Sequence, residues 1–174
     1  MVNIGLTEEE AEVPEKALLD VLLESWDRNN VILVNLLRAL PEGGLKGRAI
    51  ESGPTVAELF THIHYVRLVL VQEDAPEFAK KLPEKEWEDE RDADRIAQML
   101  NESAEAVRDA VKGRLETGQD MNVHYDHPIF LLQHMIWHEG YHHGQIKLAL
   151  KLAGRPLSDK DAGPITWGIW MNKK

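Results

Sequence analysis

Histidines near the carboxyl end of the chain are the residues whose type and spacing best suit metal chemistry. His134, His138 and His142 are four residues apart, so in a helix they lie along one side. The apolar residues Leu131 and Met135 continue this side, which predicts that His138 and His142 point into the core. An unpaired imidazole costs free energy there, and a bound metal would satisfy both rings. Core histidines that bond to neighbouring groups are the alternative, and the pair alone does not decide.

A third ligand would have to be another histidine or a carboxylate. The chain contains no cysteine, so any metal must be bound by nitrogen and oxygen atoms. His62 and His64 are two positions apart, about 200° around a helix axis, so they cannot both face inward. His62 shares its face with Leu59 and Val66 and is the predicted third ligand.

The segment from His138 to His142 also matches HExxH, the motif of zinc peptidases, in which Glu139 would activate water. The longer form of that motif needs glycine and histidine where this chain has Gln145 and Leu148. No glutamate follows Glu139 as a further ligand, and no edge strand is predicted to hold a peptide. We therefore rank a zinc peptidase low. We predict that Glu139 lies off the core face, at the surface or behind the ligands.

Four stretches with apolar residues at three- and four-residue steps predict the helices that position these histidines. They cover residues 15–40, 55–73, 92–116 and 126–152. Pro14 suits the first turn of helix 1, and Thr55 with Glu58 forms a capping box before helix 2. No strand pattern lies between the helices, so the predicted fold is an all-α four-helix bundle. It has a long connection between helices 2 and 3 and an irregular C-terminal tail, in which Trp167 and Trp170 fold back on the bundle.

Length and charge bound the class of protein. A chain of 174 residues suits one domain, so we predict a single domain over residues 1–174. The net charge of −10 argues against nucleic acid as a partner, because a phosphate backbone requires a basic surface. The acidic start lacks the basic and apolar regions of a secretory signal, and the apolar stretches are too short to span a bilayer. We expect a cytoplasmic protein that binds neither nucleic acid nor membrane.

Two segments resemble motifs of the DinB/YfiT-like superfamily of metal-binding four-helix bundles. The family motif H-x-x-x-H-[RH]-G-Q is similar to residues 138–145, and Ile146 follows as is usual. A hydroxyl residue followed by E-L-L-x-H-[IL] resembles residues 55–63 and again selects His62. The resemblance covers essentially the whole chain in helix order. Position 143 is commonly arginine in the family and here is His143, which we expect to point away from the metal.

The resemblance implies both a fold and a chemistry. The bundle would run up-down-down-up or in a related order, often as a homodimer, with zinc or nickel on three histidines. Members are described as metal-dependent hydrolases, and some resemble S-transferases that use mycothiol or bacillithiol. Three neutral nitrogens leave a coordination position where water or a thiol would ionise at neutral pH. We expect that water or thiolate to attack a small electrophile.

Other hypotheses stay open at this stage. The metal could serve a non-catalytic, stress-related protein, or the tryptophans could line a site for a small ligand. No general acid or base follows from the spacing, so the catalytic residues are unknown beyond the activated water or thiolate. Tyr141, Gln145 and Glu58 lie within about a turn of the ligands and are the candidates. The sequence names neither the substrate, nor the native metal, nor the thiol.

Overall fold

The computed structural model of the protein contains four long helices. It describes residues 8–171, and the side chains are described from Ala17 onward. They are α1 (Glu8–Arg38), α2 (Val56–Asp74), α3 (Ala93–Glu116) and α4 (Pro128–Leu152). A short helix, α5 (Asp159–Ala162), follows. The 3-10 turns are Gly44–Lys46, Pro76–Phe78, Gly163–Ile165 and Trp167–Met171. Residues 8–171 contain no strand, so the predicted all-α fold is confirmed.

The direction of each helix follows from the residues that touch between helices. Residue numbers rise together along α2 and α3, which are therefore parallel. Along α1 and α3 the residue numbers rise in opposite directions, so these two helices are antiparallel. The same holds for α2 and α4. The chain thus runs up, down, down and up, as predicted. The contacts are Trp26–Ala104 and Asn30–Asn101 between α1 and α3, His64–Met99 and Arg67–Ser103 between α2 and α3, and His62–His142 and Arg67–Glu139 between α2 and α4.

The helix ends agree with the sequence prediction at α2 but not at α1. The capping box is confirmed, because Thr55 Oγ1 accepts the Glu58 N–H at 3.1 Å and the Glu58 carboxylate accepts the Thr55 N–H at 2.7 Å. Helix α1 begins at Glu8 rather than Glu15, so Pro14 lies inside it and the prediction that Pro14 marks its first turn is wrong. A proline inside a helix removes one backbone hydrogen bond, yet α1 continues through this position without a break.

The C-terminal tail folds back along α1. Asn35 Nδ2 donates to the Ile165 carbonyl and Arg28 Nη1 donates to the Ile169 carbonyl, both at 2.8 Å. Trp167 and Trp170 therefore lie in a turn that packs beside α1, as predicted, although both remain partly exposed. Among the helices that the structure describes, none is long and apolar enough to cross a membrane. The predictions about the acidic start, Met1 to Thr7, lie outside the described residues.

Candidate metal centre

Three histidines from two helices meet between α2 and α4. One ligand nitrogen from each of His62, His138 and His142 lies within 4.8 Å of the other two. The ring centroids are 4.4 to 5.3 Å apart, and the two Nε2 atoms on α4 are 3.0 Å apart. Because α2 and α4 are antiparallel, His62 lies opposite the pair. The structure thus brings together the three histidines that the sequence predicts as ligands.

Two of the rings are oriented by hydrogen bonds at Nδ1. His62 Nδ1 donates to Glu86 Oε1 at 2.8 Å, and His142 Nδ1 donates to Gln145 Oε1 at 2.7 Å. A hydrogen on Nδ1 leaves Nε2 with the free lone pair in a neutral ring. Histidines that bind metals usually make such a bond from the other nitrogen, which fixes the tautomer. His62 and His142 are therefore held in the form that binds a metal through Nε2.

The third ring, that of His138, completes a donor set that fits a divalent transition metal. Its Nδ1 is buried and has no partner among the described residues. Its Nε2 lies 3.0 Å from the Nε2 of His142. Imidazole nitrogens lie about 2.0–2.1 Å from zinc, so two nitrogens on one ion are roughly 3.3 Å apart. Imidazole nitrogens suit several divalent transition metals, among them zinc, copper, iron and nickel.

The rings of the site are neutral near pH 7. Burial lowers the pKa of His62, of His138 and of His142, since a charged imidazolium loses hydration there. The pKa of His138 falls to about 3, through burial first and then through the neighbouring His142 and His62. At His62 the Glu86 carboxylate opposes this effect. Neutral imidazole is the form that binds a metal, so the site is ready to do so at neutral pH.

The connection between α2 and α3 covers one side of the site. Trp87 stacks on the His62 ring, with centroids 4.1 Å apart and planes 4° apart. Glu88, which follows Trp87, is held in place by Thr61: the Thr61 hydroxyl accepts the Glu88 N–H and donates to the Glu88 carbonyl. Sequence reasoning missed Glu86 and Trp87, because the connection has no periodicity. The sequence shows only an acidic residue beside an aromatic one at this point, and that local pattern does not place them at His62.

Glu139 is buried, and the prediction that it lies off the core face of α4 is wrong. Its side chain is 1% exposed. The Arg67 guanidinium donates to Oε1 and Oε2 at 2.6 and 2.8 Å, and Asn29 Nδ2 donates to Oε2. The core face of α4 passes through Met135, Glu139, His142 and Ile146, with His138 at its edge. A carboxylate committed to Arg67 is not free to act as a general base, so the geometry does not support the peptidase hypothesis.

Arg67 is the buried partner that allows the Glu139 carboxylate to lie in the core. Its side chain is 0% exposed, and Nη1 also donates to Asn30 Oδ1 and the Leu100 carbonyl, at 2.9 and 2.8 Å. The guanidinium lies 4.8 Å from the centroid of the Trp26 ring. Buried charges persist when they are paired and hydrogen-bonded in this way. The signal in the sequence was one arginine in an otherwise apolar stretch of helix 2.

The catalytic candidates from the sequence divide into two groups. Tyr141 and Gln145 lie at the site: Gln145 orients His142, and its Nε2 donates to Tyr141 Oη at 2.9 Å. The Tyr141 ring is 5.2 Å from that of His142. Glu58 is instead committed to the capping box and lies 3.6 Å from Arg48. The catalytic roles of Tyr141 and Gln145 stay predictions.

The histidines excluded from the ligand set occupy other positions. His134 Nδ1 bonds to Tyr125 Oη at 2.8 Å, and its ring is 6.2 Å from that of His138. His143 is half-buried and outside the three-histidine cluster, as expected. His64 is buried like His62, so the prediction that the two cannot both face inward is wrong. Helix α2 is covered on two sides, by α4 at His62 and by α3 at His64.

Comparison with known proteins supports the resemblance seen in the sequence. The model of the DinB family matches residues 13–165. The matched segment contains α2, α3 and α4 in full, and with them all three histidines of the site. No curated protein and no solved structure matches the chain.

Proposed function

The chain belongs to the DinB family, and we propose that it is a metal-dependent S-transferase that joins a thiol to a small electrophile. The observation that carries this proposal is the cluster of His62, His138 and His142, whose rings are neutral and of which the first and third are oriented by hydrogen bonds. These residues would hold one zinc or nickel ion. A divalent metal on three neutral nitrogens keeps a coordination position open and lowers the pKa of a thiol or water there.

The carboxylates around the site favour a thiol over water as the nucleophile. Hydrolysis is helped by a general base within hydrogen-bond reach of the attacking water. Among the described residues near the site, Glu139 is paired with Arg67, Glu86 with His62, and Glu58 is held in a helix cap. A cysteine-like thiol has a pKa of about 8.5, so it ionises near neutral pH with less assistance than water. Hydrolysis of the electrophile is the second candidate.

Residues of the chain would orient the reactants. Glu86 and Gln145 accept the Nδ1 hydrogens and keep the two Nε2 lone pairs available. Tyr141 Oη accepts from Gln145, so its own hydrogen is free to donate to a leaving group. Trp137 lies parallel to Tyr141, with centroids 6.4 Å apart and planes 12° apart, and both rings are exposed.

The test is turnover by protein whose metal content has been measured. The zinc- and nickel-loaded forms are each incubated with a panel of electrophiles, with and without bacillithiol or mycothiol, and products are identified by mass spectrometry. We expect a thiol adduct with the parent, and with His143→Ala as the matched control, but not with His142→Ala. A product that forms equally without thiol points to hydrolysis. No turnover by fully loaded protein across the panel would favour the non-catalytic hypothesis.

We also propose that the chain forms a homodimer through α4. Its exposed apolar residues recur at steps of seven and four, so they lie along one side of the helix. Such a stripe is the pattern by which helices of two identical chains pair along a seam. Exposed apolar surface of this kind is otherwise costly in a monomer. The residues are Phe130, Trp137, Tyr141, Leu148 and Leu152.

A further inference from the structure

A buried histidine on the other side of α2 opens onto a separate cavity. His64 is 5% exposed, and its Nδ1 bonds to the Met99 carbonyl at 2.7 Å. A carbonyl only accepts, so Nδ1 carries the hydrogen and Nε2 of the neutral ring is an acceptor. Within the described residues Nε2 has no partner, and it is not sealed from solvent as the Nδ1 of His138 is. The ring lines the cavity, so this acceptor is available to a ligand.

The cavity lies between α2, α3 and the connection that joins them. Its volume is about 490 Å³, within the roughly 300–1,000 Å³ typical of small-molecule sites. Leu68, Leu82 and Met99 provide apolar walls. A buried polar acceptor beside apolar walls is the arrangement by which such sites orient a small ligand.

Charges of both signs are held apart on the α3 side of the cavity. Arg95 and Glu102 are seven residues apart, so they lie on one face of α3 about 10 Å apart along its axis. Gln98 lies between them: its Oε1 accepts from Arg95 Nη1 at 3.1 Å and its Nε2 donates to Glu102 Oε1 at 2.8 Å. This bridge spaces the cation from the carboxylate. The connection adds lysines and glutamates to the rim, so neither sign dominates.

We propose that this cavity binds a small zwitterion, of the size of an amino acid or a dipeptide. Its ammonium group donates to His64 Nε2 and to the Glu102 carboxylate. Its carboxylate accepts from Arg95, and an apolar side chain packs on Leu68 and Leu82. The site is distinct from the metal centre, because His64 lies about 200° around the α2 axis from His62. It does not depend on the chemistry proposed for the metal.

Titration calorimetry with the full-length protein tests this proposal. The probes are L-leucine and leucyl-leucine, each compared with its methyl ester, which lacks the anion, and its N-acetyl form, which lacks the cation. We expect at least one zwitterion to bind, and both blocked forms to bind at least tenfold more weakly. Arg95→Gln and Glu102→Gln should each weaken binding roughly 10- to 100-fold, the range for a hydrogen bond to a charged group. Arg95 is exposed and Glu102 half-buried, so both variants should keep the fold, which their unfolding transitions would show.

The matched control is Lys112→Gln, which removes a charge from α3 away from the cavity and should bind like the parent. His64→Ala should abolish binding while keeping its metal content, and its unfolding transition shows whether it has folded. Three results would overturn the proposal: no binding by either zwitterion, equal binding by the blocked forms, or equal loss of binding in the Lys112→Gln variant.

Discussion

Replacing Glu139 by glutamine separates a structural role of this carboxylate from a catalytic one. In the parent, the two oxygens accept two hydrogen bonds from Arg67 and one from Asn29, with both members of the ion pair buried. Glutamine has nearly the same volume as glutamate but no charge. Its NH₂ group would point a donor at the N–H donors of Arg67 or Asn29. The Arg67 guanidinium would then stay buried without a counter-ion. We therefore expect Glu139→Gln to lower the free energy of unfolding.

The expected size of this effect follows from the burial of the pair. Removing one partner of a buried ion pair costs about 3–5 kcal/mol. In a domain of this size each kcal/mol lowers Tm by roughly 2–4 °C, so Tm should fall by about 6–20 °C. Metal content per folded chain should stay close to that of the parent, because Glu139 is not among the three ligands.

The assay is thermal and urea unfolding of the metal-free and metal-loaded forms, with metal measured in parallel. The matched control is Glu116→Gln, an exposed residue of α3 whose nearest cation, on Lys112, is 3.8 Å away, and it should leave Tm nearly unchanged. The double change Arg67→Met with Glu139→Leu should recover much of the loss, since apolar side chains of similar size can replace a buried pair. The reasoning is refuted if Glu139→Gln is as stable as the parent. Loss of a peptide-cleaving activity at full metal content would instead identify Glu139 as the base of a peptidase.

Three further predictions concern the metal, pH and assembly. Metal content should be close to one ion per chain in the parent and in His64→Ala and should be largely lost in His138→Ala and in His142→Ala; retention in all of them would move the site elsewhere. In metal-free protein the free energy of unfolding should fall as pH drops from about 6.5 toward 3, because the unfolded chain takes up the proton that folded His138, with a pKa of about 3, excludes. His138 alone contributes a slope of about 1.4 kcal/mol per pH unit, and the lowered pKa values of His62 and His142 add to it. Urea unfolding with a chelator measures the slope, and a flat profile contradicts the assignment. Light scattering should give about twice the 19.8 kDa chain mass for the parent and less for Trp137→Glu; a parent of single-chain mass rules out the homodimer.

Local patterns explain which parts of the fold and site could be predicted. Periodic apolar residues gave α2, α3 and α4, and the sequence around Thr55 gave a helix start whose hydrogen bonds the structure contains. The spacing of His138 and His142 predicted two of the three histidines of the site, and the apolar face of helix 2 predicted the third, His62. Each of these signals lies within a few residues of the chain. None of them required knowledge of which helices pack together.

The remaining features depend on contacts between segments far apart in sequence. Glu86 and Trp87 reach His62 only because the connection folds back over α2, and nothing in their own neighbourhood indicates that path. His64 is buried because α3 covers the side of α2 opposite the site. Glu139 is predicted to lie off the core face because it is about 100° from His138 around the helix axis, but its partner Arg67, on another helix, allows the carboxylate to be buried. A charge inside a predicted helix is therefore better read together with charges of opposite sign on other helices.

The Arg67–Glu139 pair also gives a physical reason for the alignment of the metal-binding histidines. Apolar contacts between α2 and α4 would tolerate small sliding movements, whereas a buried ion pair with two hydrogen bonds is satisfied in one register only. Glu139 directly follows His138, and adjacent residues point about 100° apart on a helix. The carboxylate can therefore face Arg67 in the core while the imidazole lies at the edge, toward His62. By this argument the ion pair fixes the positions of the ligands on two helices without contacting the metal.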